Sequence, residues 1–147
     1  MYKKFFLMLA ASFITMYAVM YLHTYEIGHV FFSTTRFYMT ILMICPMALI
    51  MMGFMRHMYQ DKKINLIIMI GTIAVFAASF VMMRSQTFVD DKGYLRGMIP
   101  HHSIAILTSK RANITDPEVR RMADEIIKAQ EKEITQMKAI INRMENN

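Results

Sequence analysis

The sequence predicts an all-α chain in two parts: three transmembrane helices over residues 1–84, then an extracytoplasmic helical hairpin over residues 85–147. Three observations predict it. Uncharged apolar runs fill most of the first 83 residues. From about residue 88 the texture changes to apolar side chains at helical spacing among charged ones. Within that later stretch, "NITDPEV" carries the end signal of one helix and the start signal of another.

The apolar runs are residues 5–22, "FFLMLAASFITMYAVMYL", residues 37–55, "FYMTILMICPMALIMMGFM", and residues 64–83, "INLIIMIGTIAVFAASFVMM". Each is about long enough to cross a hydrocarbon core of ~30 Å as a helix. The first follows Lys3 and Lys4, as a signal peptide would. Its apolar core is too long for one, and no small-x-small cleavage site precedes His23, so a retained helix is expected. Charge sets the orientation. Lys3 and Lys4 precede the first run, and Arg56, Lys62 and Lys63 lie between the second and third. The loop at residues 23–36 has only Arg36 against Glu26. The positive-inside rule puts the N-terminus and the 56–63 loop in the cytoplasm, with residues 23–36 and everything after 84 outside. In a bacterium this means the inner (plasma) membrane with a periplasmic or external hairpin. The formal charge is +6, but the cations sit in short clusters beside the apolar runs and in the C-terminal third. That distribution argues against a nucleic-acid surface and for membrane lipid as a partner. A single cysteine, Cys45, rules out an intramolecular disulfide.

Eighteen residues are Met and none is Trp. Met39, Met43, Met47, Met51 and Met55 recur every four residues, which makes one slowly drifting line along a helix. Met fills gaps as Leu would; as ligands, the same thioethers would suit Cu(I). Cys45 is expected to be buried and inert, with a kink at Pro46. His23 and His29 in the outer loop and His57 in the inner one are expected to be surface or interfacial residues. With Glu26, the first two would make at most a weak metal contact.

The hairpin's first helix is expected at about 88–112, capped by Asp90 or Asp91. Leu95, Met98, Ile99, His102, Ala105 and Ile106 share one broad face. Gly97 and Pro100 lie inside it, and Pro100 predicts a kink or short break just before His101 and His102. The second helix is expected at about 116–145. Thr115 and Glu118 have capping-box spacing, and Pro117 suits the first turn. Its seam reads Val119, Ala123, Ile126, Gln130, Glu133, Met137, Ile140 and Met144, widened by Met122, Ile127, Ile134 and Ile141. Gln130 and Glu133 are wrong for a plain apolar seam, since a buried carboxylate needs a partner or a metal. Folding about Asn113 puts His101 and His102 opposite Ile126 and Ile127, and Met98 opposite Gln130. Met98, Met122, Gln130, Glu133, Met137 and one of the two histidines then converge within about two helical turns. Imidazole, thioether and carboxylate together suit copper best among common metals. Neighbouring helical residues point about 100° apart, so one histidine would ligate while the other bonds elsewhere or meets a second chain. Alternatively, Glu133 pairs with Lys110 or Arg111.

"DKGYLRGMIPHHSIAILTSKRA", followed by "ADEIIKAQEKEITQM", resembles the domain-of-unknown-function family number 305. The shared pattern is an acidic residue, Met-Ile-x-His-His with Ala-Ile after it, then a helix bearing Ile-Ile, Gln, Glu-Ile and Met. It covers residues 90 to about 144. The resemblance implies a ferritin-like helical bundle, an extracytoplasmic setting and copper handling. It marks Asp90 or Asp91, Met98, His101, His102, Gln130, Glu133 and Met137 as site residues. Fuller members carry two such helical pairs; this chain has one, plus its three apolar runs. A lone hairpin buries little surface, so the half bundle is expected to be completed by homo-oligomerisation through the hairpins or by packing on a partner.

Di-iron chemistry would need Glu-x-x-His pairs facing into the bundle, and the hairpin has none; Asp124, Glu125, Glu131 and Glu145 belong to its solvated face. No nucleophile–base pair, glycine-rich phosphate loop or Cys-pair zinc motif occurs. A non-enzymatic membrane protein is therefore expected. It would bind copper as Cu(I) for tolerance or delivery, exchanging it with a donor or acceptor protein. The alternative is a structural or regulatory membrane subunit whose hairpin is a dimerisation or docking module.

Overall fold

The computed structural model describes residues 2–55 and 57–146. It contains five helices: α1 (Tyr2–Val19), α2 (Thr34–Phe54), α3 (Lys62–Ser85), α4 (Asp91–Arg111) and α5 (Pro117–Glu145). One turn of 3-10 helix spans Ile27–His29, and no strand occurs among the described residues. The chain is all-α, as the sequence predicts. It forms two compact units. One contains α1, α2 and α3; the other joins Tyr21–Thr34 to the chain from Val89 onward.

In the first unit, all three helices are long and apolar enough to cross a membrane. α1 sits three residues earlier than the apolar run implies. It stops at Val19 because the chain turns there: Thr24 Oγ1 donates to the Tyr21 carbonyl at 2.8 Å, and Arg36 donates to the Met20 carbonyl. Arg36, expected in a loop, is thus a buried residue of α2. Arg56, one of the expected inner-loop charges, lies outside the described residues. Asp61 caps α3 by accepting from the amides of Lys63 (2.9 Å) and Ile64 (3.0 Å). At the start of α1, Tyr2 donates to Asn65 Oδ1 at 2.8 Å, and Phe5 meets Tyr59 edge-on. Phe5, Ala48, Met52 and Tyr59 form this unit's small core.

The buried line of α2 runs Arg36, Thr40, Ile44, Ala48, Met52, a step of four. The line Met39–Met55 lies one residue behind it, exposed at Met39 and Met43 and half-buried further on. These thioethers therefore flank the packed stripe, as gap-filling residues do. Cys45 is buried and free. Pro46 lies within an unbroken α2.

In the second unit, Asp90 is the α4 cap, accepting from the Gly93 amide at 2.6 Å. α4 then runs unbroken through Pro100, so the break expected before the histidines does not occur. Pro100 removes one amide donor, but its ring is buried in line with Ile99, Ser103 and Ile106. Packing on both sides keeps the helix together across the missing bond. α5 is capped by Asp116 rather than Thr115. The Asp116 carboxylate accepts from the amides of Glu118 and Val119, each at 2.9 Å, and Pro117 occupies the first turn.

The seam of α5 is Ala123, Ile127, Gln130, Ile134, Met137, Ile141 and Met144, buried or half-buried throughout. Ile134 and Ile141 are buried in place of the expected Glu133 and Ile140, Ile126 and Ile127 are both half-buried, and the expected first seam residue, Val119, is exposed. Apolar residues at both 126–127 and 140–141 left the phase open. It is settled by Ile134, which goes inside while the Glu133 charge stays at the edge. The register also differs. Arg96 meets Glu145 at 2.7 Å, Lys110 meets Glu131 at 2.8 Å, and Arg120 Nη1 donates to the Ser109 carbonyl at 3.0 Å. His102 therefore faces Glu133, not Ile126–Ile127. Seating Ile99 and Ile106 among Ile134, Met137 and Ile141 sets this register.

The segment Tyr21–Thr34 straps across the hairpin. Tyr25 and Phe31 pack against the hairpin core. His29 at the end of the 3-10 turn is buried; along the extended part that follows, Ser33 is buried and Phe31 half-buried, while Val30 and Phe32 are exposed. A Cβ at Gly97 would come within 3.2 Å of Ser33 Oγ, so a glycine in mid-helix lets the strap lie close on α4.

Candidate functional site

Four expected site residues are brought together. Met98 and His102 are one turn apart on α4; Glu133 and Met137 are one turn apart on α5. The two pairs face each other: His102 Nδ1 lies 3.1 Å from Glu133 Oε2, and Met98 packs on the core cluster that contains Met137. The His102 side chain is 14% exposed and that of Glu133 47%. The approach of Nδ1 to the carboxylate is off-line, so this buried nitrogen faces an anion without an aligned hydrogen bond. Burial pushes the His102 imidazole below its ordinary pKa; the Glu133 carboxylate opposes this and His101 adds to it. His101 is exposed, its ring centroid 5.9 Å from that of His102. Gln130 is half-buried one turn before Glu133.

The other expected residues are not gathered there. Met122 is 56% exposed and lies 11 residues before Glu133, about 16 Å along the axis. Asp90 and Asp91 are as far from His101 along α4, and Asp90 is engaged as the helix cap. No group of three or more His, Cys, Asp or Glu side chains fit to hold a metal occurs among the described residues. A closed cage of hard or borderline ligands is therefore not built here. The donors that do gather are one partly sheltered imidazole, one carboxylate and two thioethers, a set that favours a soft ion.

A second polar cluster lies on the strap side of α4: His29, expected near the surface beside Glu26, is buried instead, because it packs against Ser103. Ser103 is fully buried, accepts from the Tyr25 amide at 2.7 Å and bonds His29 Nδ1 at 3.0 Å. His29 Nε2 lies 3.6 Å from Glu26. Burial holds the His29 imidazole below its ordinary pKa, Lys138 pushes it the same way, and Glu26 pulls it up. Glu26 and His29 are a Glu-x-x-His pair, supplied by the strap rather than the hairpin. A cleft of about 240 Å³ adjoins them, lined also by Tyr25, Glu131, Thr135 and Lys138. Beyond the expected nearness of His29 and Glu26, the advance signal was Ser103's place on the line Ile99, Ser103, Ile106.

The fold and site define a class: an antiparallel hairpin bearing a His/Met/Glu cluster, joined to three helices of membrane-crossing length. Residues 80–146 match the family model described as "Domain of unknown function (DUF305)". The uncharacterized protein L153 of Acanthamoeba polyphaga mimivirus is 39% identical over 139 residues, covering 92% of this chain and 90% of that protein. The likeness thus takes in the apolar helices as well as the hairpin. The chain belongs to the DUF305 family. No solved structure matches it.

Proposed function

We propose that this protein is a membrane-anchored, non-enzymatic binder of copper as Cu(I), for tolerance or delivery. Three spans, α1–α3, would hold a hairpin on the outer side of the membrane, with the N-terminus inside as the lysine clusters favour. The observation that carries the reading is His102 Nδ1, buried and turned toward the Glu133 carboxylate, with Met98 one helical turn before it on α4. A proton on Nδ1 is stabilised by that carboxylate, which leaves the Nε2 lone pair as the ligand. Met98, on the same face one turn earlier, supplies a soft sulfur. His101 offers an exposed imidazole through which the ion is received or passed on. Glu133 fixes the tautomer and balances charge. His and Met need no thiol, so the set works in an oxidising compartment.

The test is Cu(I) and Zn(II) titration of the full chain in detergent against a competing chelator. The expected result is about one Cu(I) per chain or per dimer, with weak Zn(II). His101→Ala with His102→Ala removes binding while helicity and mass are kept. Glu133→Gln weakens it by about 10–100-fold. Met98→Leu preserves packing but lowers Cu(I) affinity. Unchanged binding in the double-histidine variant would overturn the site.

A second reading is favoured by the exposed Tyr94, Val119, Met122 and Ile140 of the hairpin. There, homo-oligomerisation or docking is the function and metal is irrelevant. It predicts that the double-histidine change dissociates the assembly without altering metal content.

A further inference from the structure

The strap Tyr21–Thr34 has a second face. Its inward residues, His29, Phe31 and Ser33, are held by the hairpin. Its outward residues include large apolar side chains: Ile27 is 93% exposed, Leu22 80% and Phe32 62%, with Val30 beside them. An exposed apolar row of this kind marks an interaction surface. Chain connectivity says what it meets. Leu22 is three residues past the end of α1, and Phe32 two residues before the start of α2. At about 3.3–3.6 Å per residue, neither can lie more than about 10 Å from the end of a helix of membrane-crossing length. The polar layer on each side of the ~30 Å hydrocarbon core is itself several ångströms thick, and interfacial elements sink about 5–10 Å into its boundary. Both ends of the row are thus tethered within the reach of that layer.

We propose that Leu22, Ile27, Val30 and Phe32 form a plate that inserts into the lipid interface and seats the hairpin on the membrane surface. This rests on the reading that α1 and α2 cross a bilayer. The partner is the lipid boundary region rather than a second chain. Lipid receives an irregular row of apolar side chains without a complementary shape, and the tether already delivers the row to it. The same strap bonds α4 through Tyr25 N–H and His29 at Ser103, the residue next to His102.

The test uses the full chain with Cys45→Ala, reconstituted in phosphatidylcholine–phosphatidylglycerol vesicles carrying nitroxide lipids labelled near the headgroup or at mid-chain. A fluorophore is attached at Ile27→Cys, Phe32→Cys, Ile70→Cys in α3, or Lys132→Cys on the exposed side of α5. Ile27 is exposed in the folded chain, so labelling there leaves packing intact if Phe32 proves sensitive. The expected result is strong quenching at 27 and 32 by the headgroup-proximal nitroxide, quenching at 70 by the mid-chain nitroxide, and neither at 132. If 70 is quenched while 27 and 32 respond to an aqueous quencher as 132 does, the plate is wrong and the membrane reading stands. Positions 27 and 32 shielded from both lipid and aqueous quenchers mean that protein covers them, which also overturns the plate. Loss of quenching at 70 means that the spans themselves fail, and the plate with them.

Discussion

α3 and α5 are the chain's two longest helices, with 24 and 29 residues, yet only Ser79 of α3 is buried, whereas α5 buries Ala123, Ile134, Met137 and Ile141 along one side. α3 is apolar all round, so no face needs protein cover; a bilayer would solvate it as well as another helix would. α5 is mostly charged, and its stability comes from the narrow line that meets α4 and the strap. One chain would therefore stabilise its helices in two ways, α3 through an apolar solvent and α5 through packing. The candidate site lies in the second, where Met98 packs on the core cluster and His102 faces Glu133.

The comparison breaks most readily in the hairpin core. Ile99→Ala or Ile106→Ala, both at fully buried positions, should cost about 2–5 kcal/mol, read as the thermal melt of the second unit in detergent. Ile70→Ala on α3 should leave that melt where it is. Equal losses from the two changes would mean that the regions are not held by different forces.

Ser103→Ala comes next. It strips the part-buried Tyr25 amide of its acceptor and the buried His29 of its partner, at about 1–3 kcal/mol. Amide exchange at Tyr25 should accelerate before that of the α5 core. Unchanged protection at Tyr25 would show that the strap is held by Tyr25 and Phe31 packing alone.

Acid should act on the second unit through its two buried histidines. His29 and His102 are both held below the ordinary 6.5 by burial, so the unfolded chain takes up protons first as pH falls. Stability is complete above about pH 6.5 and declines below it, until the folded histidines also protonate. Melting from about pH 8 down to pH 5 should show the decline, and His29→Gln with His102→Gln should flatten it. Cu(I) affinity should weaken over the same interval, since ligation requires a neutral imidazole.

The smallest effect belongs to the rim. Arg96→Ala removes a partly exposed pair with Glu145 and should cost no more than about 1 kcal/mol, vanishing in high salt. In α2, Met43→Leu should change neither the hairpin melt nor the copper stoichiometry; a loss of copper there would return the methionine line to consideration as a ligand ladder.

By itself the sequence determined the helical class, the three apolar segments to within three residues, the two hairpin helices, and His102, Glu133, Met98 and Met137 as residues to watch. Each was legible because periodicity and composition are local properties of the chain. It did not determine the phase of α5, where Ile126–Ile127 and Ile140–Ile141 allow two seams, nor the register that set His102 against Glu133. It gave no sign that Tyr21–Thr34 would become a layer of the hairpin through Ser103, Gly97 and His29. Those outcomes were decided by tertiary structure, because they depend on which surfaces can be buried together across separations from 21 residues, at Lys110–Glu131, to 78, at Tyr25–Ser103. A period in one segment carries no information about the side chain that will lie across from it.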